Sequence, residues 1–174
     1  MRITHRFITL ALALVAVIGC GATPKPGAAP RTVYVVRHAE KLVSADNSKD
    51  PPLTEQGLRR AAALARTIDP KSLFAVYATP YARTRGTAAP SAEAAGLPVT
   101  EYPPDDTAGL AAKIRSAAKG GVLVVGHSNT VPEILAALGV TEPVVLGDGD
   151  FGDLFIVTLA PDGTATMERK RFGD

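Results

Sequence analysis

TVYVVRHAEK, residues 32–41, decides how the rest of the chain is read. A run of β-branched, aromatic and apolar residues stops abruptly at Arg37 and His38, with Glu40 two places on. A short apolar run of this kind predicts a buried strand over 32–36. Working outward, the polar stretch KLVSADNSKDPP predicts a loop, and LTEQGLRRAAALARTI (53–68) a helix with Thr54 as its N-cap. SLFAVYA (72–78) predicts a second strand. TPYARTRGTAAPSAEAAG predicts a helix from near Pro80, broken at Pro90 and stopped at Gly96. PVTEY reads as a short strand, and DTAGLAAKIRSAAKGG as a helix capped by Asp106 and ended by Gly120 and Gly121. VLVVG (122–126) is a fully apolar strand and NTVPEILAALG a further helix. DLFIVTL and TATMERKRF form a terminal hairpin around PDG. Strands alternating with helices predict an α/β, three-layer sandwich: a central, mostly parallel sheet with helices on both faces and a C-terminal hairpin.

Composition agrees with that class. The 174 residues are 46% hydrophobic and 5% aromatic, without Trp, which suits helices packed on a sheet and excludes a disulfide-stapled minidomain. One Cys allows no internal disulfide. Residues 1–19 begin with Arg2 and Arg6 and run through ITLALALVAVIG to Cys20, the pattern of a secretory signal. The other reading of this stretch is an uncleaved signal anchor. VIGC resembles the lipobox of bacterial lipoproteins, with Val17 where Leu is commonest. That resemblance implies lipidation of Cys20, and Gly21 in place of Asp implies sorting to a periplasm-facing outer membrane. The expected organisation is a signal peptide over 1–19, a lipidated Cys and flexible Pro- and Gly-rich tether over 20–30, and a folded domain over 31–174. The formal charge of +2 resides in the signal, since residues 1–19 hold two basic and no acidic side chains. No basic excess points to nucleic acid.

In open α/β sheets, ligands bind beyond the carboxyl ends of the strands. After the first strand come Arg37, His38 and Glu40; after the second, Thr79, Arg83 and Arg85. Glu101, Asp105 and Asp106 follow the third, and Gly126, His127, Ser128 and Asn129 the fourth. Of three histidines, His5 lies in the signal, and the other two both end apolar strands. Zinc would want a third ligand and a tight local pair, and neither is present, so no metal is expected. Arginines converging with histidines suit an anion, because guanidinium forks hold phosphate oxygens in pairs. A neutral imidazole there is a nucleophile toward phosphorus, and neighbouring positive charge keeps it neutral.

RHAE after a strand, LTEQG, TPYARTRGTA and GHSNT, in this order, resemble the histidine phosphatase superfamily, also called the phosphoglycerate mutase-like family, over roughly residues 32–160. The resemblance implies that His38 is the nucleophile and carries a transient phosphohistidine. Arg37, Arg83 and His127 would bind the phosphoryl oxygens, with Thr79 and Asn129 beside them at the substrate. It implies no cofactor. Leu53, Thr54 and Gly57 read as a structural helix start, and Lys41 as a rim contact or a solvated lysine. The family places its proton donor shortly after the third strand, where Glu101 is favoured over Asp105 and over Asp106, the helix cap. Gly86 stands where the family often has Gln, and Ala39 follows the His as in the phosphatases. Asp150 and Asp153 read as turn residues or as pocket-edge carboxylates. Between Arg83 and His127 there is no room for a large cap domain. The expected function is therefore an envelope-anchored phosphatase of phosphomonoesters or related phosphoryl compounds. The alternatives are a mutase-like phosphotransferase and a catalytically idle anion-binding lipoprotein.

Overall fold

The computed structural model describes residues 29–43, 49–117 and 120–173. The signal, Cys20 and nearly all of the tether lie outside the described residues.

Six strands make one sheet in the order β3-β2-β4-β1-β5-β6. They are β1 (Arg31–Arg37), β2 (Leu73–Ala78), β3 (Val99–Glu101), β4 (Gly121–Gly126), β5 (Asp153–Leu159) and β6 (Ala165–Arg171). β3, β2, β4 and β1 run parallel, each to its neighbour. The terminal hairpin adds β5 antiparallel to β1 and leaves β6 at the edge. The sheet is thus mostly parallel, as the alternation of elements predicts. β1 and β4, the two apolar strands, sit at its centre.

Side chains alternate across a pleated strand, so an apolar central strand feeds two cores. On one face Val33, Val35, Val122, Val124 and Phe155 meet α3 (Thr107–Ser116) and α4 (Thr130–Ala137) through Leu110, Ile114, Val131 and Ile134. On the other face Val36, Leu123 and Val125 meet α1 (Glu55–Thr67) and α2 (Ala82–Ala95) through Leu64, Ala88 and Ala92. The register pairs Val35 with Val124 on one side and with Phe155 on the other, which keeps each apolar set on its own face.

The caps are those the sequence predicts. Thr54 accepts a hydrogen bond from the Gly57 amide at 3.0 Å, and Asp106 from the Gly109 amide at 2.9 Å. α2 differs from expectation, because it runs unbroken through Pro90 to the left-handed Gly96. A proline inside a helix costs about 3 kcal/mol. Thr87, Ala88, Ser91 and Ala92, buried on either side of it, hold both halves of the helix to the same packing surface.

Candidate active site

Parallel pairing of the two central strands builds the site. Arg37 stands opposite Gly126 in the register, and the His38 amide donates to the Gly126 carbonyl at 2.9 Å. The residues that follow, His38 and His127, therefore emerge side by side, with ring centroids 5.4 Å apart and edge to face. Gly126 is needed there, since a Cβ would press on the Thr130 hydroxyl and the Tyr102 ring oxygen. The first turn of α2 brings Arg83, and the first turn of α4 brings Thr130 and Glu133.

These groups line a cavity of about 710 Å³. Arg37, His38, Arg83, His127 and Asn129 are all in its wall, and Lys41 is at its rim. Two expected residues are not. Glu101 is exposed, with its carboxylate 2.9 Å from Arg85, and belongs to a neighbouring groove. Asp105 and Glu133 are the carboxylates in the cavity wall, both exposed. Thr79 is fully buried and stands behind His127 rather than in the wall. Its place explains why it looked like a substrate contact from the sequence: it ends β2 at the same level of the sheet as the two histidines.

His38 is buried, and its Nδ1 donates to the Ala39 carbonyl at 2.7 Å. A carbonyl only accepts, so the ring proton is on Nδ1 and the lone pair on Nε2. Burial pushes this imidazole down to about 3, against the pull of the Ala39 bond, with His127, Arg37 and Arg83 adding to the fall. Burial, Arg83 and Arg37 bring His127 down to about 4. Both rings are neutral near pH 7.

Each arginine lies over an aromatic ring, Arg37 4.2 Å from the Phe151 centroid and Arg83 4.3 Å from that of Tyr81. Arg37 Nη1 donates to the carbonyls of Gly147 and Asp148 at 2.7 and 3.1 Å, so the Gly-rich loop before β5 holds one prong of its fork. Burial pulls the Arg37 guanidinium below its ordinary value, and Asp148 and Asp150 pull it back. Arg83 has Asp50 at 3.7 Å, the carboxylate that also caps Ala82 at 2.7 Å. The Nε atoms of Arg37 and Arg83 are buried without an acceptor among the described residues. A buried donor left unmatched costs about 1–3 kcal/mol, which an arriving anion relieves.

Of the two aspartates near FG, Asp150 closes a turn on the Gly147 amide at 2.7 Å. Asp153 is buried beneath Arg169 at 2.9 Å. Glu40 pairs with Arg60 at 2.8 Å, tying RHAE to α1 rather than to the cavity. Sequence reasoning missed Asp50, Tyr81, Thr84, Phe151 and the 146–151 loop. The aromatic residues flanking the motifs were the only available signal for any of them. Among the described residues no three His, Cys, Asp or Glu come together as a metal site would need, and no helix is long and apolar enough to cross a membrane.

The model of the histidine phosphatase superfamily (branch 1) matches residues 33–104. No curated protein matches the sequence. Among solved structures, the chain is similar to the protein histidine phosphatase SixA complexed with tungstate, at 22% identity and a TM-score of 0.62, covering 80% of this chain and 96% of that one. It is also similar to a mycobacterial glucosyl-3-phosphoglycerate phosphatase, at 14% identity and a TM-score of 0.63, covering 83% and 99%. A phosphoglycerate mutase from Bacillus anthracis aligns at 17% identity and a TM-score of 0.58, covering 83% and 93%. At these identities the likeness is one of fold. The family match takes in Arg37, His38 and Arg83 and ends before His127, which the parallel register of β1 and β4 sets beside His38. Residues 33–104 match the histidine phosphatase superfamily (branch 1), and the chain shares its fold with the solved structures named above.

Proposed function

We propose that the protein is a metal-independent phosphatase working through a covalent phosphohistidine on His38. The observation that carries this reading is the neutral His38 ring, proton fixed on Nδ1, beside two guanidiniums whose Nε donors are buried and unmatched among the described residues. His38 Nε2 gives its lone pair to phosphorus, and the bond from phosphorus to the leaving group breaks with its electron pair. Arg37 and Arg83 take the phosphoryl oxygens and match the charge that grows on them. The Ala39 carbonyl holds the Nδ1 proton and so steadies the positive imidazolium that forms. Water then attacks phosphorus, the N–P bond breaks, and its electrons return to Nε2 as phosphate leaves.

The leaving group can be narrowed. Asp105 and Glu133, the carboxylates in the wall among the described residues, are exposed, so among those residues no sheltered acid lines the cavity. Protonating a poor leaving group is worth about 10²–10⁴-fold. We therefore read the substrates as phosphoryl compounds whose leaving group departs readily, such as a phosphorylated imidazole or an anhydride. The fold neighbour named a protein histidine phosphatase supports the first of these. We further propose that Cys20 carries a lipid anchor in the bacterial envelope, on the strength of VIGC and the tether that follows.

Brief incubation with ³²P-labelled substrate, quenched without acid, should trap label on His38 that is lost in acid and kept in base. His38→Ala should take none. Turnover should withstand EDTA, because Arg37 and Arg83 repel a cation. Activity lost on chelation and restored by zinc overturns the mechanism.

A further inference from the structure

Behind His127 lies a chain of buried hydroxyls. Its Nε2 is 2.8 Å from the Thr79 hydroxyl, which is 2.9 Å from that of Thr84. Both threonines are fully buried, so water does not compete for these bonds. Resting on the reading that the cavity binds a phosphoryl group, we propose that Thr84 and Thr79 are positioning residues that turn neutral His127 into a donor to that group, by placing its single ring proton on Nδ1.

The argument is a count of protons. Nε2 is taken by Thr79, so Nδ1 is the nitrogen His127 presents to the cavity it lines. Each hydroxyl has one proton and can both give and accept. The chain therefore runs in one of two directions. In the first, His127 gives Nε2–H to Thr79, Thr79 gives to Thr84, and Thr84 gives to a carbonyl. Nδ1 then carries a lone pair, which opposes the lone pairs of a phosphoryl oxygen. In the second, Thr84 gives to Thr79 and Thr79 gives to Nε2. Nδ1 then carries the proton and donates to the phosphoryl oxygen.

The second direction leaves nothing unmatched. The carbonyls within reach of the Thr84 hydroxyl are those of Thr79 at 2.8 Å and Tyr81 at 2.9 Å. Both are already served by backbone amides: Tyr81 donates to Thr79 at 2.8 Å, and Thr84 and Arg85 donate to Tyr81 at 3.1 and 3.0 Å. The Thr84 hydroxyl can turn from them to Thr79 without orphaning either. A bound phosphoryl group selects this direction, since only then do all the polar groups pair. Valine at 79 keeps the shape and removes the device; serine keeps the device.

The test is ¹⁵N NMR of the His127 ring in the full folded domain at pH 7 with saturating inorganic phosphate. The expected spectrum has a protonated, pyrrole-type Nδ1 and an unprotonated, pyridine-type Nε2. An unprotonated Nδ1, or an imidazolium with both nitrogens protonated, overturns the inference while leaving the phosphatase reading intact. Failure of phosphate to bind at all overturns both. Thr79→Val should lower kcat by roughly ten- to hundredfold and move the His127 signals toward the other tautomer. Thr79→Ser should restore both readouts. Wild-type kcat in Thr79→Val, or no rescue by serine, counts against the relay. Unchanged ring signals in Thr84→Val overturn the part assigned to Thr84.

Discussion

A neutral imidazole attacks phosphorus and an imidazolium does not, so the depressed values of His38 and His127 keep the proposed nucleophile active. They also make the fold sensitive to acid. In the unfolded chain a histidine takes its proton near 6.5. In the folded protein these two refuse it until about 3 and about 4. Between those values the unfolded state binds more protons, so stability falls as pH drops from about 6.5 toward 4. Denaturant midpoints taken from pH 7 down to 4.5 should decline, and should decline less in His38→Ala. The carboxylates make the opposite lesson about reading a residue from its position. Glu101 is nearest the end of the third strand, yet Arg85 takes its carboxylate and turns it from the cavity. Nearness along the chain says nothing of which way a side chain leaves a strand, whereas Asp105, in the loop beyond, reaches the wall. Glu101→Gln should therefore leave alkyl phosphate and p-nitrophenyl phosphate turnover within about twofold of wild type. Asp105→Asn should slow the alkyl ester alone if that exposed carboxyl gives any proton; equal loss on both substrates would assign it to shape.

Helix starts, rather than helix bodies, hold the active loop. The Thr54 amide donates to the Glu40 carbonyl at 2.9 Å, and Gly57 packs so closely on that carbonyl that a Cβ would overlap it. This is why LTEQG accompanies RHAE: the glycine lets α1 touch the backbone just past His38. Gly57→Ala should cost about 1–3 kcal/mol by overpacking. It should also lower turnover through His38, which a shift in denaturation midpoint alongside kcat will show. α2 contributes a second grip. Thr87 accepts from the Ala39 amide at 2.9 Å and gives to the Arg83 carbonyl at 2.8 Å, so it braces the residue whose carbonyl holds the His38 ring. The elements themselves were legible, because caps and apolar periods are local patterns. What Thr84 and Thr87 touch was not, since a buried hydroxyl carries no sequence mark of its partner. Pro90 misled for the same reason: its local cost was readable, and the packing that outweighs it was not.

At the scale of the molecule, the α/β layering followed from two apolar strands and the helices between motifs, and the structure has it. The paired histidines were legible because both end such strands. The loop over Arg37 was not, because a Gly-rich stretch without apolar period predicts no particular path. The anchor proposed for Cys20 rests on VIGC, ahead of the described residues. Two or more acyl chains are needed for stable attachment. Cys20→Ser should move the protein from the membrane fraction to the soluble one with turnover unchanged, and unaltered fractionation would remove the anchor. The opposition of Arg37 and Gly126 has one more consequence, and it concerns time. Contacts between distant parts of a chain form slowly, since the intervening segment must first be closed into a loop. A chain halted before β4 holds His38, Arg37 and Arg83 but lacks His127 and the start of α4, which close the cavity. Catalysis should therefore arrive late during refolding: after helical circular dichroism has recovered, and in step with protection of the His38 amide from exchange.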